Sequence, residues 1–248
     1  MWPAGERVGA VIQARMGSTR LPGKALIDLE GTPIIGWVVS RVRALGGIID
    51  GVVLATSTSP GDDPLAAWAR RAGVAVFRGD EADVLDRYRR CTDAYGFDAV
   101  LRVTGDNPLV CPREGRRLVD RFRRRRRDYI TGLTCDGSGL PVGAGLELFG
   151  ADGLRQSAEK ATGSDDREHV NEYLRARPER FDIERVVSLP EHQAPDLSLT
   201  IDTASDFERV RGWIRAATGR GHRPPPATPD LPLAQVVAAY RRSRAGAA

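Results

Sequence analysis

Short apolar runs bounded by turn residues alternate along the chain with stretches in which apolar side chains recur every three or four positions. Runs of that length fit strands buried on both faces, and the longer period fits amphipathic helices that cover them. The alternation predicts an α/β fold with a mainly parallel sheet covered by helices. Strands are predicted at residues 8–14, 52–57, 74–77, 99–103, 183–187 and 197–201. Pro33, suited to a first helical position, opens a helix that runs to about Leu45. Other helices are predicted to start at Asp62–Asp63, at Asp80, at Pro112 and at Ala204, with two more over 151–160 and 166–176. The glycine-rich section 131–150 reads as a projecting hairpin or arm. Residues 1–218 are thus expected to form one domain, 219–230 a proline-rich linker, and 231–248 a closing helix and tail.

Composition narrows the classes. A chain of 248 residues, 41% hydrophobic, can bury one sizeable core. No apolar run reaches the roughly 20 residues that span a bilayer, and the first residues lack the apolar core of a secretory signal, so a cytoplasmic protein without membrane contact is expected. The net charge of +4 and the run Arg123–Arg127 raise the question of nucleic acid. That run follows Leu118, Val119 and Phe122 at helical spacing, so it reads as the solvated end of a helix, where cations suit the dipole, and no nucleic-acid partner is expected. Of the 37 lysines and arginines only Lys24 and Lys160 are lysine, which singles out Lys24 as a place where a compact ammonium is kept.

In open α/β sheets ligands bind outside the carboxyl ends of the strands, so the loops there carry the chemistry. The first such loop reads Gln13-Ala14-Arg15-Met16-Gly17-Ser18-Thr19-Arg20-Leu21-Pro22-Gly23-Lys24. It suits a phosphate cradle: backbone N–H groups around Ala14, Met16 and Gly17 approach the oxygens, Arg15 and Lys24 neutralise them, and Arg20 grips a second anion. The spacing is not that of a Walker A loop. The fourth strand ends in Arg102-Val103-Thr104-Gly105-Asp106-Asn107-Pro108, and the segment Leu197-Ser198-Leu199-Thr200-Ile201-Asp202-Thr203 ends in a second aspartate. Asp106 and Asp202 together suit Mg2+, which takes one or two protein carboxylates and completes its shell with water and phosphate. The alternative makes Asp202 the N-cap of the next helix, a place that Thr203 or Ser205 fills equally well.

With these segments stand Ala55-Thr56-Ser57, Arg78-Gly79-Asp80, Asp83-Val84-Leu85-Asp86-Arg87-Tyr88 and Asp166-Arg167-Glu168-His169-Val170, all in a fixed order. Over residues 8–215 the set resembles the spore-coat polysaccharide biosynthesis protein F family, within the acylneuraminate and 3-deoxy-manno-octulosonate cytidylyltransferase group. The resemblance implies the three-layer, Rossmann-like nucleotide-diphospho-sugar transferase fold with a mainly parallel mixed sheet, CTP as nucleotide, magnesium, a small acidic acceptor and a homodimer. It implies that Arg15 and Lys24 bind the triphosphate, that Ser57 and Arg78 lie near the cytosine and Thr104 and Gly105 near the ribose, and that Asp106 and Asp202 hold metal. Asp166, Arg167 and His169 are implied to face the acceptor or a partner subunit, with Arg20, Gly143 and Glu147 also on the acceptor side.

The resembling proteins carry Pro-Arg-Gly-Leu-Asp-Val-Glu where this chain reads Pro141-Val142-Gly143-Ala144-Gly145-Leu146-Glu147. The lost arginine and aspartate point to a different acceptor, a phosphonate or short acid included, or to a changed dimer contact. The expected reaction is attack of an acceptor oxygen on the α-phosphorus of CTP, with Arg15, Lys24 and Asp106 as catalytic residues and no histidine or glutamate assigned as base. A glycosyltransferase on the same fold and an RNA-binding module are the rivals; the first lacks an Asp-x-Asp motif near the fourth strand, and the second leaves the two separated aspartates unexplained.

Overall fold

The computed structural model describes residues 6–219 and 231–246. The first strand, β1 (Val8–Gln13), leads through the basic loop and a 3-10 turn at Lys24–Leu26 into a small hairpin, β2 (Asp28–Leu29) and β3 (Thr32–Pro33). Helix α1 (Ile34–Arg43) follows, and Pro33 precedes it as the extended N-cap because it belongs to β3, one step outside the predicted first helical position. Then come β4 (Gly51–Ser57), α2 (Asp63–Arg71), β5 (Ala75–Gly79) and α3 (Val84–Tyr95). Asp80 does not open α3: its carboxylate accepts the N–H groups of Ala82 and Asp83, and Asp83 caps the helix by accepting from Asp86 N–H. The chain continues through β6 (Ala99–Thr104), α4 (Pro112–Arg124), β7 (Tyr129–Thr131), β8 (Glu147–Gly150), α5 (Ala151–Lys160), α6 (Ser164–Glu168), α7 (Glu172–Arg175), β9 (Ile183–Arg185), α8 (Ala204–Thr218) and α9 (Leu233–Ala245).

Seven strands form one sheet in the order β5-β4-β1-β6-β8-β7-β9. β1 pairs in parallel with β4 and with β6, β4 pairs in parallel with β5, and β8 is antiparallel to both its neighbours. The central strands read as continuous apolar runs because both faces are covered, by a cluster around Val38, Val42 and Leu118 on one side and around Leu85, Tyr88 and Leu154 on the other. The chain winds outward from β1 to β5 and then returns to β6 on the far side of β1. That reversal opens a crevice at the carboxyl ends of β1 and β6, the place where such sheets bind ligands.

A third apolar cluster joins α1, α8 and α9 through Ile34, Trp37, Val210, Ile214, Val236 and Val237. It explains why residues 197–201 are not a sheet strand: Leu197, Leu199 and Ile201 bury their side chains in this cluster, and the backbone makes only an isolated bridge between Ser198 and Val142. The last helix therefore packs on the body, with Trp213 and Tyr240 edge to face at 5.5 Å. The expected linker falls, from residue 220 on, outside the described residues, as does the end of the tail.

The hairpin expected in 131–150 is present as antiparallel β7 and β8, but its connection does not project. Leu140, Ala144 and Leu146 are buried, and Cys111 N–H donates to Ala144 O at 2.9 Å, so the segment lies along the body. The helix expected over 166–176 is broken at His169–Asn171 into α6 and α7. Beyond the end of α4, Arg125 and Arg127 pair with Asp182, and Arg126 with Glu6, so much of the arginine run is neutralised within the chain.

Candidate active site

The basic loop is held by a buried acid. Asp62 accepts the Met16 N–H at 2.7 Å, the Thr56 hydroxyl at 2.9 Å and both the N–H and hydroxyl of Ser57. Burial alone would raise its pKa; the Met16, Ser57 and Thr56 hydrogen bonds outweigh that and hold the carboxyl below its ordinary value. The loop is further closed by Ser18 N–H and Gly23 N–H, both donating to Met16 O. This leaves Arg15, Gly17, Arg20 and Lys24 facing a cleft of about 1040 Å³ at the ends of β1 and β6.

Asp106 and Asp202 meet across that cleft because their backbones are bonded: Ile201 N–H donates to Asp106 O at 3.0 Å. Gly105 allows β6 to close on β1, where a Cβ would stand 2.6 Å from Ala14 Cβ. Between the two carboxylates lies the Lys24 ammonium, which donates to Asp106 Oδ2 at 3.0 Å, Asp202 Oδ1 at 2.8 Å and Ile201 O at 3.0 Å. Arg20 approaches the other oxygen of Asp202 at 3.1 Å. The helix after Asp202 is capped by Thr203 and Asp206 in a reciprocal capping box, so the Asp202 carboxylate is not the N-cap.

These two aspartates are hard oxygen donors already gathered around one cation, the ammonium, which is the chemistry magnesium requires. Among the described residues there is no cluster of three or more histidines, cysteines, aspartates or glutamates that could hold a metal. The donor set fits an ion that draws its remaining ligands from water and phosphate, provided Lys24 moves aside.

The rest of the cleft is built on the other face of β6. Thr104, Gly105, Arg102 and Gln13 line it from the sheet, and Arg87, Arg167 and His169 from α3 and α6. Arg102 pairs with Glu147, which is 2% exposed and also accepts from Tyr129 and, at 2.7 Å, from Asn171. Burial would lower the pKa of Arg102, but the Glu147 carboxylate raises it, so this arginine stays charged. Arg167 bridges α6 to the cap of α3 through Asp83 at 3.2 Å.

Of the residues expected at the site, Ala14, Arg15, Gly17, Arg20, Lys24, Thr104, Gly105, Asp106, Arg167, His169 and Asp202 line this cleft. The others stand away from it. Ser57 is fully buried with its hydroxyl on Asp62, and Arg78 is turned along the edge to Ser57 O at 2.7 Å and Ser59 O at 2.8 Å. Met16 packs against the first apolar cluster, and Asp166 lies half-buried on α6. Glu147 is beneath the floor rather than on it. Gly143 has a φ of +86° and sits against Thr200 and Asn107, so it shapes the segment that carries Asp202. Arg87, Arg102 and Gln13 were not singled out from the sequence. A charged residue inside an otherwise apolar central strand was the available signal for Arg102; Arg87 lies within an ordinary amphipathic helix.

Comparison with known proteins identifies the family and the fold. The sequence profile of the cytidylyltransferase family matches residues 10–213. The spore coat polysaccharide biosynthesis protein SpsF of Bacillus subtilis (strain 168) is 34% identical over 225 residues, covering 89% of this chain and 90% of that protein. A cytidylyltransferase from Leptospira borgpetersenii serovar Hardjo-bovis (strain JB197) superposes with a TM-score of 0.85 at 27% identity, covering 97% of this chain and 96% of its own. CMP:2-keto-3-deoxy-manno-octonic acid synthetase, solved in complex with CTP, shares the fold with a TM-score of 0.63 at 19% identity, covering 84% of this chain and 98% of its own.

Proposed function

The chain belongs to the cytidylyltransferase family and has the nucleotide-diphospho-sugar transferase fold, and from that premise we propose that it transfers the cytidylyl group of CTP to a small acidic sugar or related acid. An acceptor oxygen attacks the α-phosphorus, the bond to the bridging oxygen breaks, and pyrophosphate leaves.

The observation that carries this reading is the meeting of Lys24, Asp106 and Asp202 beside the basic loop. Asp106 and Asp202 are the residues to hold magnesium, which when bound supplies charge neutralisation at the phosphates. Lys24 leaves its two carboxylates to reach the triphosphate, and Arg15 stabilises the charge that develops on the departing pyrophosphate. Arg20, now paired with Asp202, binds a second anionic group. Thr104 and Gly105 orient the nucleotide from the end of β6, and Arg167 and His169 face the acceptor from α6. Positioning and preorganised charge provide most of the acceleration in such a transfer. Val142 stands where the resembling proteins carry an arginine, and the loss of that cation supports an acceptor that differs from theirs.

The test is pyrophosphate release from CTP, measured with and without 3-deoxy-manno-octulosonate, other sugar acids and phosphonates. Release that requires one of these acceptors supports the reading. Release from none of them, with a nucleotide sugar turned over instead, points to a glycosyltransferase and rejects it.

A further inference from the structure

Five basic side chains lining the cleft, Arg15, Arg20, Lys24, Arg102 and Arg167, each lie within 4.0 Å of a carboxylate, namely Glu81, Asp202, Asp106, Glu147 and Asp83 in turn. Arg87 differs. It is only 2% exposed, yet its guanidinium makes a single hydrogen bond, from Nη1 to the backbone oxygen of Asp80 at 2.6 Å. Its Nε is buried with no partner, and no carboxylate among the described residues forms an ion pair with it. Burial is the largest influence and lowers its pKa; the charges of Asp62 and Asp80, neither of them paired with it, act the other way without cancelling burial, and the Arg15 charge adds to the lowering.

A buried guanidinium of five donors, met only by one neutral carbonyl, carries a desolvation cost that the free chain does not offset. The fold nevertheless fixes it. Arg87 sits in the first turn of α3, and its stem lies against Gly79, where even a Cβ would come within 3.0 Å of it. From there it lines the same cleft as Arg15 and Arg102. Buried charges in proteins are paired, so the missing partner is sought in what the cleft binds.

We propose that Arg87 is a substrate-anion site, at which an anionic oxygen of a bound substrate, phosphate or carboxylate, supplies the counter-charge that the free chain lacks. The assignment rests on the cytidylyl-transfer reading for its two sources, the phosphates of the nucleotide and the carboxylate of the acceptor. It requires no covalent step.

Arg87→Met keeps the stem against Gly79 and removes the charge; Arg87→Lys restores a charge without the fork. Melting temperature without ligand is measured first, then affinity by calorimetry for CTP with magnesium, for inorganic pyrophosphate and for 3-deoxy-manno-octulosonate. Arg87→Met is expected to melt at or above the wild-type temperature, because an uncompensated charge has gone, and to bind at least one of the three anions about tenfold or more weakly. Arg87→Lys is expected to recover part of that loss. Weakening for CTP and pyrophosphate assigns the anion to phosphate, and weakening for the sugar acid alone assigns it to the acceptor. Affinities within about twofold of wild type for every anion the wild type binds overturn the proposal, whatever the melting temperature does. A wild type that binds pyrophosphate but not CTP rejects the nucleotide reading while the arginine is still judged by pyrophosphate, and a wild type that binds none of the three overturns both.

Discussion

At the Lys24 end of the cleft every charge is paired, Lys24 and Arg20 against Asp106 and Asp202, whereas Arg87, on the other face of the sheet, has no carboxylate paired with it among the described residues. The first arrangement is stable without a ligand and must be rearranged for one to bind. The second is complete only once a ligand has arrived. The difference teaches that one cleft prepares for anions in two ways: with a cation held in reserve on carboxylates, and with a cation left buried and unmatched.

The comparison can be broken from its acidic side. Asp106→Ala or Asp202→Ala is expected to lower turnover at least about a hundredfold while the fold persists, read by pyrophosphate release beside circular dichroism. Full activity in either variant would falsify the metal assignment. A smaller effect is expected from the basic side: in Lys24→Met the two carboxylates lose the ammonium that neutralises them, so Mn2+ binding without nucleotide, read by electron paramagnetic resonance, should tighten about tenfold while CTP binding weakens. If Mn2+ affinity does not change, Lys24 is not standing in the cation's place.

The spacing between the two strand ends offers a third handle. Gly105→Ala forces a Cβ to within 2.6 Å of Ala14 Cβ and 3.2 Å of Gln13 O, so β6 must withdraw from β1. A cost of about 1–3 kcal/mol is expected in chemical denaturation, with a larger KM for CTP than in the parent. An unchanged midpoint and KM would show that the close approach is not needed.

The smallest effect lies outside the cleft and serves as a control. His192 is buried, and hydrogen bonding to Cys111, with Glu114 at 2.6 Å adding to it, raises its pKa from 6.5 to about 9. A raised folded-state value means that this contribution to stability is complete below 6.5 and is lost as pH rises through about 9. Melting temperature should therefore fall by several degrees across that range, and His192→Gln should flatten the fall without altering CTP affinity at neutral pH. A wild-type profile no steeper than that of the variant would remove His192 from the account.

Much of this was legible in the sequence, and for identifiable reasons. The central strands read correctly because burial on both faces leaves an unbroken apolar run, and the aspartate at the end of β6 reads as functional because strand ends face the crevice. Residues 197–201 have the same apolar signature, yet they serve the cluster under α8 and α9, and pattern alone does not separate those two uses. Asp202 still reaches Asp106, through a backbone bond from Ile201 that no periodicity records. Ser57 and Arg78 carry suitable chemistry, but a neighbouring acid and neighbouring carbonyls engage them, a matter of side-chain direction. Arg87 was hidden for the opposite reason: in an amphipathic helix an arginine is read as solvent-facing, and only three dimensions reveal that it is buried with no carboxylate paired to it among the described residues.

The central claim, that the cleft receives CTP together with a divalent cation, is tested most directly by thermal melting of the intact chain with CTP, UTP, ATP and GTP in turn, each with and without magnesium. A ligand that binds only the native state raises the melting temperature. The account predicts stabilisation by CTP above the other three, dependent on magnesium; equal or absent shifts with all four nucleotides would contradict it.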